Sequence, residues 1–353
     1  MFRAVELNQK LDKKTFKNKI EEIRTDFIKA QIDSRKYPGA IIILLLGVDG
    51  AGKGDLVNFL GSIMDIRNVE ISTFWKETDE DNEHPEYWRY FRALPSRGQI
   101  GIFFGAWYSK PIIEYVSGNI DELEFEHKLS KIAEFENMLA QDNAVIIKFW
   151  MHLSKREQKK RLKSIKDKIK DPKSAMKRAM WHYDNYDKII NSAEKAIRST
   201  DRLGARWFLV EATDKYHSQL KVVETLNETF KNLSPNNMLS QDFKNITPFV
   251  PAPVLKNVDL NKSFEGDFDK IYEEYKLEVN ALSWEAYNKK ISTVVVFEGW
   301  DAAGKGGAIR RLTSGMDVRL VQVKSIAAPT EEEKAHHYLW RFWRHLPRFG
   351  YTT

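Results

Sequence analysis

The chain has 353 residues, of which 42% are hydrophobic and 30% are charged, and its net charge is +6. It contains no cysteine, which excludes disulfides and cysteine-ligated metals, and no apolar run approaches the roughly 20 residues that span a membrane. Residues 1–24 are charged and lack the apolar core of a secretory signal, so the sequence predicts a cytoplasmic protein. The excess of basic residues is typical of many soluble proteins and also of proteins that bind polyanions.

The first two thirds of the chain alternate predicted strands with predicted helices. The strands are predicted over 41–46, 69–74, 99–104, 144–150 and 207–210. The helices are predicted over 10–36, 53–64, 85–94, 123–139 and 217–233, and over 155–200 with an interruption near Pro172. Strands that alternate with helices form a parallel sheet with helices on both faces, so the pattern predicts an α/β fold.

A change of composition marks the end of this region. Residues 234–257 contain Pro235, Pro248, Pro251 and Pro253, and proline disfavours both helix interiors and central strands. We therefore predict a first domain over 1–233, a linker over 234–257 and a second domain over 258–353.

The same glycine-rich loop occurs twice, each time after an apolar run, and the second run, 294–297, is predicted to be a buried strand. The first loop, from Gly47 to Gly54, reads GVDGAGKG, and the second, from Gly299 to Gly306, reads GWDAAGKG. Their lysines lie 252 residues apart. Seven residues downstream of the loops return at the same offset: His84, Trp88, Arg89, Arg92, Leu94, Pro95 and Gly98 become His336, Trp340, Arg341, Arg344, Leu346, Pro347 and Gly350. The pattern predicts a tandem duplication of one domain.

By this repeat arithmetic the second copy is incomplete. Thr353 corresponds to Gly101, and the first copy continues for roughly 130 residues beyond that position. We therefore expect a complete protein of about 500 residues, of which this chain is a C-terminally truncated form.

Loops of this composition bind phosphate. Glycine lets backbone N–H groups point at phosphate oxygens, the following helix adds its positive end, and the lysine adds a cation. The predicted phosphate-binding residues are Gly52, Lys53 and Gly54 in the first copy and Gly299, Gly304, Lys305, Gly306 and Gly307 in the second.

The loops depart from the commonest phosphate-binding loop at one position. A Ser or Thr that binds magnesium usually follows the lysine, but Gly54 and Gly306 stand there. Each loop contains an aspartate instead, Asp49 or Asp301. Two interpretations of Asp301 stay open: a residue that helps to hold magnesium, or a hydrogen-bond acceptor that keeps the loop in shape.

Two motifs of the second copy carry a resemblance to a known family. Residues 299–307 read GWDAAGKGG, and residues 339–347 read LWRFWRHLP. With them the chain resembles the polyphosphate kinase 2 family, and its duplication resembles the two-domain class, the polyphosphate:AMP phosphotransferases. The resemblance covers essentially the whole chain. It implies a P-loop kinase fold like that of thymidylate kinases, and Mg2+-dependent phosphoryl transfer between inorganic polyphosphate and a nucleotide, with AMP giving ADP.

The resemblance also implies roles for single residues. Asp301 and Lys305 are the expected catalytic residues, with Asp301 related to the magnesium ion. Arg341 and Arg344 are candidate phosphate-binding residues. They lie three residues apart on one face of a predicted helix, so they either bind phosphate or pair with acidic neighbours.

The first copy lacks a pair of residues that the family uses. In the family an Asp-Arg pair follows the third strand, in a stretch like FDRSWY. The first copy reads FFGAWY over 103–108, so Trp107 and Tyr108 fix the alignment and Phe104 and Gly105 replace the pair. We therefore expect a degenerate first copy and a catalytic second copy. Because the second copy ends before its own pair, we expect little activity from these 353 residues alone.

A basic stretch runs from Lys155 to Arg178, with twelve Lys or Arg against three acidic residues. It is interpreted either as a solvated helix or, as the resemblance implies, as a lid that faces polyphosphate.

Other functions stay open beside the enzyme. The chain could be a non-catalytic polyphosphate-binding or assembly module. A kinase that uses NTP fits less well, because both loops lack the Ser or Thr after the lysine. The expected partners are inorganic polyphosphate and AMP or ADP. A nucleic acid is not expected because the usual reader motifs are absent, nor is a membrane, and the sequence leaves a homo-oligomer open.

Overall fold

The computed structural model describes residues 1–74, 76–165, 172–233, 259 and 263–353. The predicted linker, 234–257, lies outside the described residues, as does part of the basic stretch. Among the helices that the structure describes, none is both long and apolar enough to cross a membrane.

The regular elements are as follows. The strands are β1 (Ile41–Gly47), β2 (Val69–Thr73), β3 (Ile100–Phe104), β4 (Val145–His152) and β5 (Ala205–Glu211). The helices are α1 (Lys13–Ser34), α2 (Lys53–Ile63), α3 (Asp79–Asn82), α4 (Trp88–Arg92), α5 (Ser109–Val116), α6 (Glu122–Gln141), α7 (Lys155–Ile165), α8 (Pro172–Asp184), α9 (Tyr186–Thr200), α10 (Lys215–Asn232), α11 (Phe268–Asn288), α12 (Lys305–Ser314), α13 (Glu331–Ala335) and α14 (Trp340–Trp343).

The five strands form one parallel sheet in the order β2-β3-β1-β4-β5. Ile41 of β1 lies beside Ile100 of β3 on one side and Val145 of β4 on the other. The side chains of 41–46 are all buried, as expected of a central strand that helices cover on both faces. The predicted α/β fold with a parallel sheet is confirmed, and each strand predicted in the first copy lies within a few residues of its observed bounds. The helix predicted over 85–94 is shorter, since α4 covers only Trp88–Arg92.

The described residues divide into two compact units. The first unit takes Met1–Lys76, the described part of Tyr90–Ser240, and Thr330–Trp340. The second takes Glu77–Arg89, the described part of Gln241–Pro329, and Arg341–Thr353. Each unit therefore includes a short segment whose place in the sequence belongs to the other copy.

The two short segments occupy equivalent positions in their units. In the first unit, the backbone N–H of Arg97 donates to the carbonyl of Ala335 at 2.7 Å. In the second unit, the N–H of Phe349 donates to the carbonyl of Glu83, also at 2.7 Å. Arg97 and Phe349 are 252 residues apart, and so are Glu83 and Ala335. The duplication therefore extends to the backbone contact that holds each segment.

The predicted strand at 294–297 is wrong for the described residues. This run forms no ladder. Thr293 and Val321 each make only an isolated bridge to Thr352, and Val294 and Val296 are exposed. In the first unit, β1 is a strand because β3 and β4 hydrogen-bond to its two sides, whereas the described part of the second unit has no counterpart of β4. An apolar sequence alone does not make a strand when its neighbours are missing.

Candidate phosphate-binding loops

The first loop connects β1 to α2, and its shape requires glycine. Gly47, Gly50 and Gly52 have φ values of +134°, +83° and +76°. A Cβ at Gly47 would lie 2.2 Å from the carbonyl oxygen of Met151, so a side chain there would collide with β4. Lys53 is the first residue of α2, as predicted.

The amine of Lys53 turns back onto the loop. Its Nζ donates to the carbonyl oxygens of Gly47 at 2.9 Å and Val48 at 2.8 Å. Burial lowers the pKa of Lys53 to about 8, and although the carboxylate of Asp49 opposes this change, the nearby Arg178 adds to it. Lys53 is therefore a cation whose charge an incoming anion would stabilise.

Side chains of the basic stretch lie against the first loop. Arg161 of α7 donates from Nη1 to the Gly50 carbonyl at 2.6 Å, and from Nη2 to the carbonyls of Ala212 and Thr213 at the end of β5. Gln158, which is buried, donates to the Asp49 carbonyl at 3.2 Å. The described part of α7 thus does not behave as a purely solvated helix.

A residue of α8 reaches the same loop. The Arg178 guanidinium lies 3.8 Å from the carboxylate of Asp49. Both helices that carry the described basic residues therefore contact the loop, which is consistent with the interpretation of this stretch as a lid.

Where the family has the arginine of its Asp-Arg pair, a side chain would collide with the backbone of this chain. Gly105 has a φ of +74°, and a Cβ there would lie 2.7 Å from the carbonyl oxygen of Phe74. Phe104 ends β3. Neither residue supplies a carboxylate or a cation to this loop.

The Trp-Tyr pair that follows is part of a buried polar network that the sequence analysis missed. Trp107 Nε1 and Tyr108 Oη donate to Oε1 of Glu136 at 3.0 and 2.8 Å. Lys148, in the middle of β4, donates to Oε2 of Glu136 at 2.7 Å and to the Thr200 carbonyl at 2.8 Å. Burial raises the pKa of Glu136 and lowers that of Lys148. The available signal was a lysine inside an otherwise apolar strand, which needs a buried partner.

The second loop repeats the geometry of the first. Gly304 has a φ of +81°, and Lys305 is the first residue of α12. Lys305 Nζ donates to the carbonyl oxygens of Gly299 at 2.7 Å and Trp300 at 2.6 Å. Gly306 and Gly307 form the first turn of α12. Two residues differ: Trp300 stands where the first loop has Val48, and Ala302, with a φ of +60°, stands where it has Gly50. Non-glycine residues adopt this left-handed conformation at a cost in free energy.

Asp301 is exposed in this loop, and its Oδ1 accepts a hydrogen bond from the Ala302 N–H at 3.0 Å. This bond is consistent with the loop-shaping role, one of the two interpretations that the sequence left open. Among the residues that the structure describes, no three His, Asp or Glu side chains come together as a metal site. A single exposed carboxylate still fits magnesium, which commonly takes one or two carboxylates and completes its shell with substrate phosphates and water.

The candidate Arg341 and its counterpart in the first copy have polar neighbours within their own unit. Arg341 donates from Nη2 to the Ala327 carbonyl at 2.6 Å, and Arg344 follows α14. Arg89, the counterpart of Arg341 in the first copy, lies 3.5 Å from the carboxylate of an acidic neighbour, Asp81.

Comparison with known proteins places this geometry in a family. Residues 10–237 and 265–353 match the sequence profile of Polyphosphate kinase 2 (PPK2). The chain belongs to this family. A protein of Pseudomonas aeruginosa named Polyphosphate:AMP phosphotransferase is 37% identical over 98% of this chain and 71% of its own length. A protein of the same name in Acinetobacter johnsonii is 26% identical, over 92% of this chain and 67% of its own length.

Solved structures agree with this membership. The crystal structure of a polyphosphate kinase 2 from Pseudomonas aeruginosa superposes with a TM-score of 0.83 at 35% identity, and the match covers 100% of this chain and 70% of that one. A polyphosphate kinase 2 from Arthrobacter aurescens, at 21% identity and a TM-score of 0.59, shows the shared fold alone; the match covers 76% of this chain and 89% of that one. The fold is that of the P-loop kinases, as the resemblance implied.

Proposed function

We propose that the protein transfers phosphoryl groups between inorganic polyphosphate and a nucleotide, converting AMP to ADP. The observation that carries the proposal is the second loop, where Lys305 begins α12 and Asp301 stands exposed four residues before it. The names of the relatives in Pseudomonas and Acinetobacter support this choice of donor and acceptor.

In this proposal, the loop N–H groups and the start of α12 hold the phosphoryl group that is transferred. Gly299, Gly304, Gly306 and Gly307 allow the backbone to approach the phosphate oxygens, and Lys305 must exchange its bonds to loop carbonyls for bonds to phosphate. Magnesium, when bound, neutralises charge on the phosphates, and Asp301 is the residue that would hold it. Arg341 and Arg344 would bind phosphates beyond the reacting one.

The first copy has a separate role in this proposal. It binds polyphosphate without transferring phosphate, through Gly52, Lys53 and Gly54 and the cations of α7 and α8. Two observations support this role: Phe104 and Gly105 leave the loop after β3 without a carboxylate or a cation, and Arg178 lies close to the first loop. A protein in which neither copy transfers phosphate is the second candidate function, a polyphosphate-binding module.

The test compares the two lysines in the longer form of about 500 residues that the sequence analysis expects, because little activity is expected from these 353 residues alone. With AMP, polyphosphate and magnesium, Lys305→Ala and Asp301→Ala should each reduce ADP formation by about 100-fold or more, since removal of one charge-stabilising group commonly costs that much. Lys53→Ala should retain most of the activity. Equal losses at Lys53 and Lys305 would contradict the separate roles of the two copies. Protein that binds polyphosphate but forms no ADP would favour the second candidate function. The cytoplasmic location and the oligomeric state stay predictions.

A further inference from the structure

A groove with a cavity volume of about 360 Å³ lies in the first unit, between the first turns of α1, α2 and α10. It is separate from the phosphate-binding surface of the first loop. The Lys53 amine at the start of α2 bonds to loop carbonyls, whereas Asp55 lies about 200° further around the helix and lines the groove. Asn58 and Phe59, three and four residues after Asp55, share its face.

One wall of the groove is aromatic. Phe16 of α1 is buried, and its ring centroid lies 4.9 Å from that of Tyr216 of α10 and 5.5 Å from that of Phe59 of α2. Tyr216 and Phe59 are half-buried, so parts of their rings face the groove. A planar apolar ring can stack or pack edge-on against such a wall.

The rim of the groove is cationic. Lys13 and Lys17, one helical turn apart on α1, and Lys215, the first residue of α10, line it and are exposed. The starts of three helices add partial positive charge, although Asp12 and Asp214 cap two of them and offset part of this charge. An anionic group therefore fits the rim better than a neutral one.

The remaining lining residues are hydrogen-bonding groups. Asp55 offers carboxylate oxygens that can accept bonds from sugar hydroxyls, and the exposed Asn58 offers an amide that can pair with the edge of a base, whereas Gln219 is buried. An aromatic wall, a cationic rim, and an acceptor and an amide between them match the three parts of a nucleotide: base, phosphate and ribose. The volume lies within the usual range of small-molecule sites.

We propose that this groove is a nucleotide-binding site, distinct from the two phosphate-binding loops. The base lies against Phe16 and Tyr216, the ribose hydroxyls face Asp55, and the phosphate lies among Lys13, Lys17 and Lys215. The proposal does not depend on the phosphotransferase function, because it uses none of the loop residues.

The experiment uses 8-azido-AMP as a photoaffinity probe on the full chain, followed by mass spectrometry of the labelled peptides. We expect labelling of peptides that contain Phe16 or Tyr216, and protection by excess AMP. The double variant Lys17→Glu, Lys215→Glu should reduce this labelling at least tenfold. The matched control, Lys19→Glu, Lys221→Glu, makes the same charge change at exposed positions of the same two helices outside the groove and should label like the unmodified chain.

Three results would overturn the proposal. The first is no label on these peptides at saturating probe. The second is equal loss of label in the groove variant and in the control, which would mean that only overall charge matters. The third is protection by inorganic tripolyphosphate that matches protection by AMP, because the base would then contribute nothing and the groove would be a polyanion site. Labelling at the loops, which Lys53→Ala and Lys305→Ala variants would remove, is read from separate peptides and reports on the proposed function alone.

Discussion

At the scale of single residues, the protonation of Lys53 makes the charge of the first loop depend on pH. Its pKa is about 8 in the folded chain, against an ordinary value of 10.5, because burial disfavours the charged amine. Between these two values the folded chain binds fewer protons at this residue than the unfolded chain, so the Lys53 contribution to the free energy of unfolding rises with pH across that window. A bound phosphate would favour the ammonium form and raise the pKa again.

We therefore expect tripolyphosphate binding at pH 9 to take up protons through Lys53. Calorimetric titrations in two buffers of different ionisation enthalpy should give different heats, and the difference should correspond to an uptake approaching one proton. Lys53→Met should abolish most of this uptake. Identical heats in both buffers for the unmodified chain would contradict an anion site at Lys53.

The buried pair of Lys148 and Glu136 makes a second prediction at this scale. Lys148→Met leaves the Glu136 carboxylate buried without its cation, and loss of one partner of a buried pair costs roughly 3–5 kcal/mol. Urea denaturation should show this loss. The double variant Lys148→Met, Glu136→Gln should recover a large part of it, because a neutral amide can still accept from Trp107 and Tyr108. A double variant that is no more stable than Lys148→Met would mean that the ion pair is not the source of the effect.

Residues whose position depends on local backbone were predictable from sequence, whereas their roles in phosphate binding stay predictions. Lys53 and Lys305 were found because glycines at fixed spacing define the loop around them. The partners Glu136 and Arg161 were not found, since each bonds to residues that are distant in sequence and adjacent only in the folded sheet. Ala302 was also missed, because nothing in its sequence context indicates a left-handed conformation.

At the scale of elements, α7 ties the first loop to the end of β5 through Arg161. Arg161→Gln removes charge-assisted hydrogen bonds to the carbonyls of Gly50, in the loop, and Thr213, after β5, each worth roughly 1.5–3 kcal/mol. Hydrogen exchange of the amides in 48–53 should therefore accelerate by about 10-fold or more. Arg156→Gln, at an exposed position of the same helix, is the matched control and should leave exchange unchanged. Equal exchange in both variants would mean that α7 does not hold the loop.

Elements were predicted well where their pattern and their surroundings agree. The strand β1 was predicted because six apolar residues lie between a polar helix and a glycine loop, and β3 and β4 are present to pair with it. The run at 294–297 has the same pattern, but the described residues contain no counterpart of β4. On the β3 side its partner is short, with the N–H of Val295 donating to the carbonyl of Thr353 at 2.8 Å, so the strand prediction was wrong. Whether an apolar run forms a strand therefore depends on the strands that pair with it and not on its apolar content alone.

At the scale of the whole molecule, the chain does not divide at the linker into two self-sufficient halves. The first unit contains Thr330–Trp340 and the second contains Glu77–Arg89. A protease site inserted near residue 245 should therefore give two fragments that stay associated in size-exclusion chromatography after cleavage. The fragments should separate only in denaturant. Two independently eluting, folded fragments would contradict this expectation. The duplication could be predicted from the sequence. The exchange of short segments between the two units could not, because the two segments have similar sequences and either unit could hold either segment.

The segment Thr330–Trp340 also determines when the first unit can be completed during synthesis of the chain. The first unit is complete only when Thr330–Trp340 has been synthesised, about a hundred residues after the end of α10. At ribosomal rates this is a delay of roughly 5–20 s. Until then the backbone N–H of Arg97 cannot bond to the Ala335 carbonyl, and the ring of Phe91 cannot contact that of His337. During that interval part of the first core stays uncovered, until Thr330–Trp340 has been synthesised.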